Sequence, residues 1–111
     1  MEFTYKSAKM TLIASVNQEL DHHKAVTIRS EIDREMIRTK AKHLVFDFSS
    51  LEFMDSSGIG VVIGRYKNIS KSGGKVVIVN NNPLIKRILE ISGIGRIITP
   101  FKSVDEALKA I

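Results

Sequence analysis

Asp55, Ser56 and Ser57 stand side by side and lead directly into Gly58-Ile59-Gly60. A carboxylate and two hydroxyls in one short segment could cap a helix, supply a nucleophile, or present a group for modification. Acyl transfer has no support, because neither serine sits in a Gly-x-Ser-x-Gly elbow. Helix capping needs only one of the three side chains. Three polar residues followed by two glycines exceed that need, and the excess points to an exposed recognition and modification site. A phosphoryl group on a serine here would add about −1.5 to −2 charges and three acceptor oxygens at pH 7. The free N–H groups of a starting helix would tolerate that charge. A docked partner carrying acidic groups of its own would not.

Other chemistry-bearing residues are less organised. Gly58-Ile59-Gly60-Val61-Val62-Ile63-Gly64 looks like a dinucleotide fingerprint, but its second gap is one residue too long. Asn80, not an acid, ends the following strand, so no ribose carboxylate is present. The glycines read better as the inner side of a helix that approaches the sheet closely. A phosphate loop is missing its Gly-Lys-Ser/Thr. His22 and His23 are adjacent and point apart on a helix, and His43 is distant, so a zinc site is not expected. With no cysteine in the chain, disulfides, thiolate metal sites and cysteine nucleophiles are excluded. No cofactor is expected.

The elements that must position Asp55–Gly60 follow from periodicity. The 111 residues, 43% hydrophobic and 26% charged, suit one α/β domain with a real core. No apolar run approaches the ~20 residues of a membrane span, and the first residues lack a signal-peptide pattern. A cytoplasmic domain is the expectation. Met10, Leu12, Ala14 and Val16 alternate with Thr11, Ile13 and Ser15, predicting a strand with an antiparallel hairpin partner at Phe3–Ser7. Asp21 is placed to cap a helix carrying Ala25, Ile28, Ile32 and Met36. Leu44–Phe48 and Val76–Val79 read as buried parallel strands. Between them a helix bears Ile59, Val62, Ile63, Tyr66 and Ile69. A third helix opens at Pro83, with Leu84, Ile85, Ile88, Leu89 and Ile91 as its stripe and Gly93 as its cap. Ile97–Thr99 is the expected last strand, and Ser103 with Glu106 a capping box for the last helix. The sum is a small mixed sheet with a parallel centre, an N-terminal antiparallel hairpin and about four helices.

The net charge of +5 is uneven. Between Arg65 and Arg96, the cations Arg65, Lys67, Lys71, Lys75, Lys86, Arg87 and Arg96 face a single acid, Glu90. Scattered lysines are ordinarily a solvated surface; an acidic protein partner or nucleic acid are the functional alternatives. Nucleic acid needs stacking aromatics near the cations, and only Tyr66 and Phe101 are available.

Four segments together resemble the anti-sigma factor antagonists of the STAS family: Glu19-Leu20-Asp21-His22-His23, Phe53-Met54-Asp55-Ser56-Ser57-Gly58-Ile59-Gly60-Val61, Gly64-Arg65-Tyr66-Lys67 and Ile91-Ser92-Gly93-Ile94. The resemblance spans residues 1–111, and the Asp21-His22-His23 segment favours its sporulation branch. It implies a protein switch that is not an enzyme. The unmodified chain would bind an anti-sigma factor that is also an ATP-dependent serine kinase, releasing the sporulation sigma factor F. That kinase would phosphorylate Ser56, and a serine phosphatase would reset it. Asp21, Asp55, Ser56, Ser57, Gly58, Ile59, Gly60, Arg65 and Lys67 are the implied partner-binding residues, with Arg65 and Lys67 meeting acidic partner groups. A general stress-response antagonist using the same switch is the alternative, and a basic nucleic-acid-binding module the alternative of another class.

Overall fold

The computed structural model describes all 111 residues. Strand β1 (Glu2–Lys6) pairs antiparallel with β2 (Thr11–Ser15) across a 3-10 turn at Ser7–Lys9. Helix α1 (His22–Thr39) leads to β3 (His43–Asp47), α2 (Ser56–Lys71) to β4 (Val76–Val79), and α3 (Pro83–Ser92) to β5 (Pro100–Phe101). Helix α4 (Val104–Lys109) ends the chain. The strands lie in the order β1-β2-β3-β4-β5, and every pair after the first is parallel.

Strand alternation divides the core into two layers. Leu12, Ala14, Leu44, Phe46, Val76 and Ile78 meet Ile28, Ile32, Val62, Ile69 and Ile85 from the three crossover helices. Ile13, Val45, Val77 and Val79 point the other way, against Ala107 of α4. The sheet is therefore covered on both faces. This explains why β2 is buried from Thr11 through Ala14 although its sequence alternates like a half-exposed strand. Each large side chain wholly removed from water, Phe46 and Phe48 among them, contributes about 1.5–3 kcal/mol.

The predicted helix caps form. Asp21 Oδ1 accepts from the Lys24 N–H at 3.0 Å, Gly93 closes α3 with φ 76°, and Ser103 Oγ accepts from the Glu106 N–H at 3.1 Å. Glu106 returns its carboxylate to the Lys102 N–H, not to that of Ser103, so the capping box closes one residue early.

Two expectations are corrected. Ile97–Thr99 is not the last strand. A 3-10 turn at Ile94–Arg96 continues so that the N–H groups of Ile97 and Ile98 both bond Ile94 O, and they are lost to the sheet. Pairing starts at Thr99 O, and Pro100 is tolerated because β5 is an edge. On α3 only Ile85 and Leu89 are buried, while Leu84 and Ile91 are 53% and 74% exposed. A short helix at the flank of the layer covers the sheet with one narrow side.

Candidate functional site: two helix starts tied together

The loops leaving β2 and β3 run side by side at the carboxyl edge of the parallel strands, the usual location of ligand and partner sites in open α/β sheets. Leu20 and Met54 form a parallel bridge between them. The Leu20 N–H donates to Phe53 O at 3.0 Å and the Asp55 N–H to Leu20 O at 3.3 Å. Leu20, Phe48, Leu51 and Met54 are buried beneath this bridge and anchor it. The first residues of α1 and α2 are thereby held next to each other.

Asp55 joins the two helices. Its Oδ1 accepts from the Ser57 N–H at 2.8 Å, capping α2, and its Oδ2 accepts from the His22 N–H at 3.2 Å, at the start of α1. Asp21 caps α1 from its own side. Both carboxylates sit where the partial positive ends of two helices converge, which favours negative charge. Gly58 is required by this closeness: a Cβ there would stand 2.8 Å from Leu20 Cγ and 2.9 Å from Leu20 O.

Ser56 is the first residue of α2 and is exposed; Ser57 is partly buried, its Oγ 3.5 Å from His22 Nδ1. Serine, histidine and aspartate thus meet, but not as a hydrolytic triad. Asp55 holds the backbone N–H of His22 and leaves the imidazole without an orienting carboxylate. What the arrangement can do is present the Ser56 hydroxyl to a donor brought by another molecule. No three His, Asp or Glu side chains converge to hold a metal ion, and no helix is long and apolar enough to cross a membrane.

The remaining expected residues separate. Gly60 and Lys67 are exposed and share the outward ridge of α2 with Ser56, at spacings of four and eleven residues. Ile59 is partly buried against the core. Arg65 does not present its charge outward: it is 8% exposed, turned between α1 and α2, with Nε 3.0 Å from Asp33 Oδ1. The helix phase explains the correction, since Gly58, Val61, Val62, Arg65 and Ile69 form the buried side of α2. The glycines are corrected with it. Only Gly58 makes a close approach, and to Leu20, not to the sheet. Gly60 and Gly64 have nothing within 4 Å of an added Cβ. His22 was not among the expected contacts, because its link to Asp55 joins residues 33 apart that no local spacing connects.

Residues 3–107 match the STAS domain model. The anti-sigma F factor antagonist of Paenibacillus polymyxa is 38% identical over 87% of this chain and 83% of its own. The chain belongs to the STAS-domain family of anti-sigma factor antagonists. The antagonist of the same name from Lysinibacillus sphaericus is 31% identical over 77% of this STAS protein and 73% of its own length. Among solved structures, the Bacillus cell fate determinant SpoIIAA in its phosphorylated form superposes with a TM-score of 0.71 at 27% identity, covering 98% of both chains. The hairpin, the parallel strands and the four helices are the STAS fold.

Proposed function

We propose that this STAS domain antagonises the anti-sigma factor of sporulation sigma factor F, binding it only while Ser56 is unmodified. The bound anti-sigma factor acts as a serine kinase, transfers a phosphoryl group from ATP to Ser56 Oγ, and is released; a serine phosphatase of the cytoplasm resets the hydroxyl. One observation carries this reading: Ser56 stands exposed at the first position of α2, on a start fixed to α1 through Asp55. Two relatives bearing the name anti-sigma F factor antagonist support the choice of system, and a phosphorylated form of a structural neighbour supports the modification.

The switch is electrostatic. Docking buries the Asp55–Gly60 segment and the outward ridge of α2, with Lys67 meeting acidic partner groups. A dianion at Ser56 would be desolvated beside the carboxylates of Asp21 and Asp55. Each ~1.4 kcal/mol lost weakens binding tenfold, and a buried dianion costs several times that.

Incubation with the candidate kinase and ATP, followed by intact-mass analysis and site mapping, tests the assignment. One phosphoryl group at Ser56 is expected; label on Ser57, or none, overturns it. Ser56→Ala should bind and stay bound, and Ser56→Asp should bind at least tenfold more weakly.

A further inference from the structure

The sheet has two edge strands, and they are finished differently. β5 is two residues long and opens with Pro100, so it offers little to pair with. β1 runs for five residues, Glu2-Phe3-Thr4-Tyr5-Lys6, without proline, glycine or bulge. Its unused main-chain groups follow from the ladder. The Val16 N–H donates to Asp47 O, so Leu12 and Ala14, in phase with Val16, turn their N–H and C=O groups toward β3. Thr11, Ile13 and Ser15 turn theirs toward β1, where they face Lys6, Thr4 and Glu2. Phe3 and Tyr5 are left with their N–H and C=O groups directed outward.

The side chains are equally open. Glu2, Thr4 and Lys6 lie exposed on one face of β1, and Phe3 and Tyr5 lie half-buried on the other. Neither Glu2 nor Lys6 has an ion-pair partner; the chain's two ion pairs are Arg38–Glu35 and Arg65–Asp33. On the helix-bearing face, a groove of about 370 Å³ borders this edge, lined by Met1, Phe3, Glu31, Arg34, Glu35 and Arg38.

These five residues are self-complementary. Laid antiparallel on a second copy about a two-fold axis through Thr4, Phe3 meets Tyr5 and Glu2 meets Lys6. Phe3 and Tyr5 then fall at the hydrogen-bonded positions, where their outward N–H and C=O groups find each other. Glu2–Lys6 and Thr4–Thr4 fall at the closer, non-hydrogen-bonded positions, where opposite charges attract and like charges repel. Pairing centred on Phe3 or Tyr5 leaves Glu2 and Lys6 without each other. Charges on an edge ordinarily discourage pairing. Here they select one partner and one register.

We infer that β1 is a homodimerisation edge: two copies of this chain join antiparallel through Glu2–Lys6 into one continuous sheet, in the register centred on Thr4. The second copy's Tyr5 is then set beside Phe3, over the groove against α1, and this aromatic pair recurs on each side of the axis. Assembly closes at two copies, because the outer edges that remain are both β5. Ser56 begins α2, which packs on β3 and β4, so both hydroxyls stay clear of the joint and the inference stands apart from the switch.

Sedimentation equilibrium at protein concentrations up to about 1 mM tests this, since so small a joint is expected to be weak. The wild type should pass from monomer to dimer and no further; a monomer throughout, or growth beyond two copies, overturns the inference. Glu2→Lys and Lys6→Glu each set like charges opposite one another and should weaken association about tenfold. Combining them restores opposite pairs and should return association to within about threefold of the wild type. A double variant as weak as the singles overturns the pairing. Both positions are exposed, so the variants should fold. The register is read with cysteine, which the chain lacks. Thr4→Cys, on the axis, should oxidise to a disulfide-linked dimer, whereas Glu2→Cys should not, because its two thiols would lie roughly 13 Å apart along the strands. Equal cross-linking of both variants, or of neither, overturns the register.

Discussion

The starts of α2 and α3 each follow a parallel strand, and each is capped by a short polar side chain. Asp55 Oδ1 accepts from the Ser57 N–H at 2.8 Å, and Asn82 Oδ1 from the Leu84 N–H at 2.9 Å. Beyond this shared capping they differ. Asn82 donates its own N–H to Asn80 Oδ1 and its Nδ2 to Leu51 O in the loop after β3, not to the start of another helix, and Pro83 then fills the first helical position with neither N–H nor hydroxyl. Asp55 spends its second oxygen on another helix, and the first position is an exposed serine. A helix start becomes a candidate switch when its cap also holds the start of a second helix and its first residue offers a group that can be modified. The start of α3 is the internal control, since it has the cap and lacks the rest.

The sharpest way to break the comparison is to separate the two helices at Gly58. Gly58→Ala drives a Cβ into Leu20 Cγ and O, and overpacking of this kind costs about 1–3 kcal/mol. Denaturant unfolding should show that loss, together with slower phosphorylation of Ser56. Unchanged stability would mean that the two loops are not held together as described. Next in size are the caps themselves. Asp55→Ala should cost about 1–2 kcal/mol and Asn82→Ala about 1 kcal/mol. Only Asp55→Ala should also slow phosphorylation, because only that cap orients Ser56. Equal slowing in both variants would erase the distinction between the starts. Smaller and opposite in sign is Gly60→Ala, two residues beyond Gly58 in open space. Replacing a mid-helix glycine with alanine should gain about 0.5–1 kcal/mol, and a loss would show that the space beside Gly60 is more closed than described.

The sequence made legible what depends on local order. Asp21 as a cap, Pro83 and Gly93 as the limits of α3, and the apolar strands Leu44–Phe48 and Val76–Val79 follow from patterns a few residues long, and these elements form. The polar excess at Asp55–Ser57 was visible for the same reason. Phase and distance were not. Of the expected stripe, Val62 and Ile69 are buried and Ile59, Ile63 and Tyr66 pack against the core only in part, because α2 turns so that Gly58, Val61 and Arg65 are buried as well. An apolar pattern cannot reveal that a glycine and an arginine occupy the inner face, since neither counts toward it. The reach of Asp55 to His22 and of Asp33 toward Arg65 arises from tertiary placement of α1 against α2. Ile97–Thr99 had strand composition, but the turn after Gly93 had already consumed the N–H groups a strand would need.

A last contrast sets the Ser56 end of the sheet against its opposite end, where β3 begins. There His43 Nδ1 accepts from the Lys75 N–H at 2.9 Å. Burial, then the positive charges of Lys42 and Lys75, hold this imidazole below its ordinary value, so the fold prefers it neutral. An unfolded histidine titrates near 6.5, and below that pH the unfolded chain binds the proton more readily than the folded one. Stability is therefore fully supported above about pH 6.5 and declines as the pH falls toward the depressed folded value. Protonation also removes the acceptor that Lys75 uses. Melting at pH 7.5 and pH 5.5 should show a larger acid-induced drop in the wild type than in His43→Gln, which carries no charge at either pH. His43→Gln should leave Ser56 phosphorylation at pH 7.5 unaltered, because His43 lies at the start of β3 and Ser56 follows its end. An equal drop in both proteins would remove His43 as the acid-sensitive group, and slower phosphorylation would show that the two ends of the sheet are coupled.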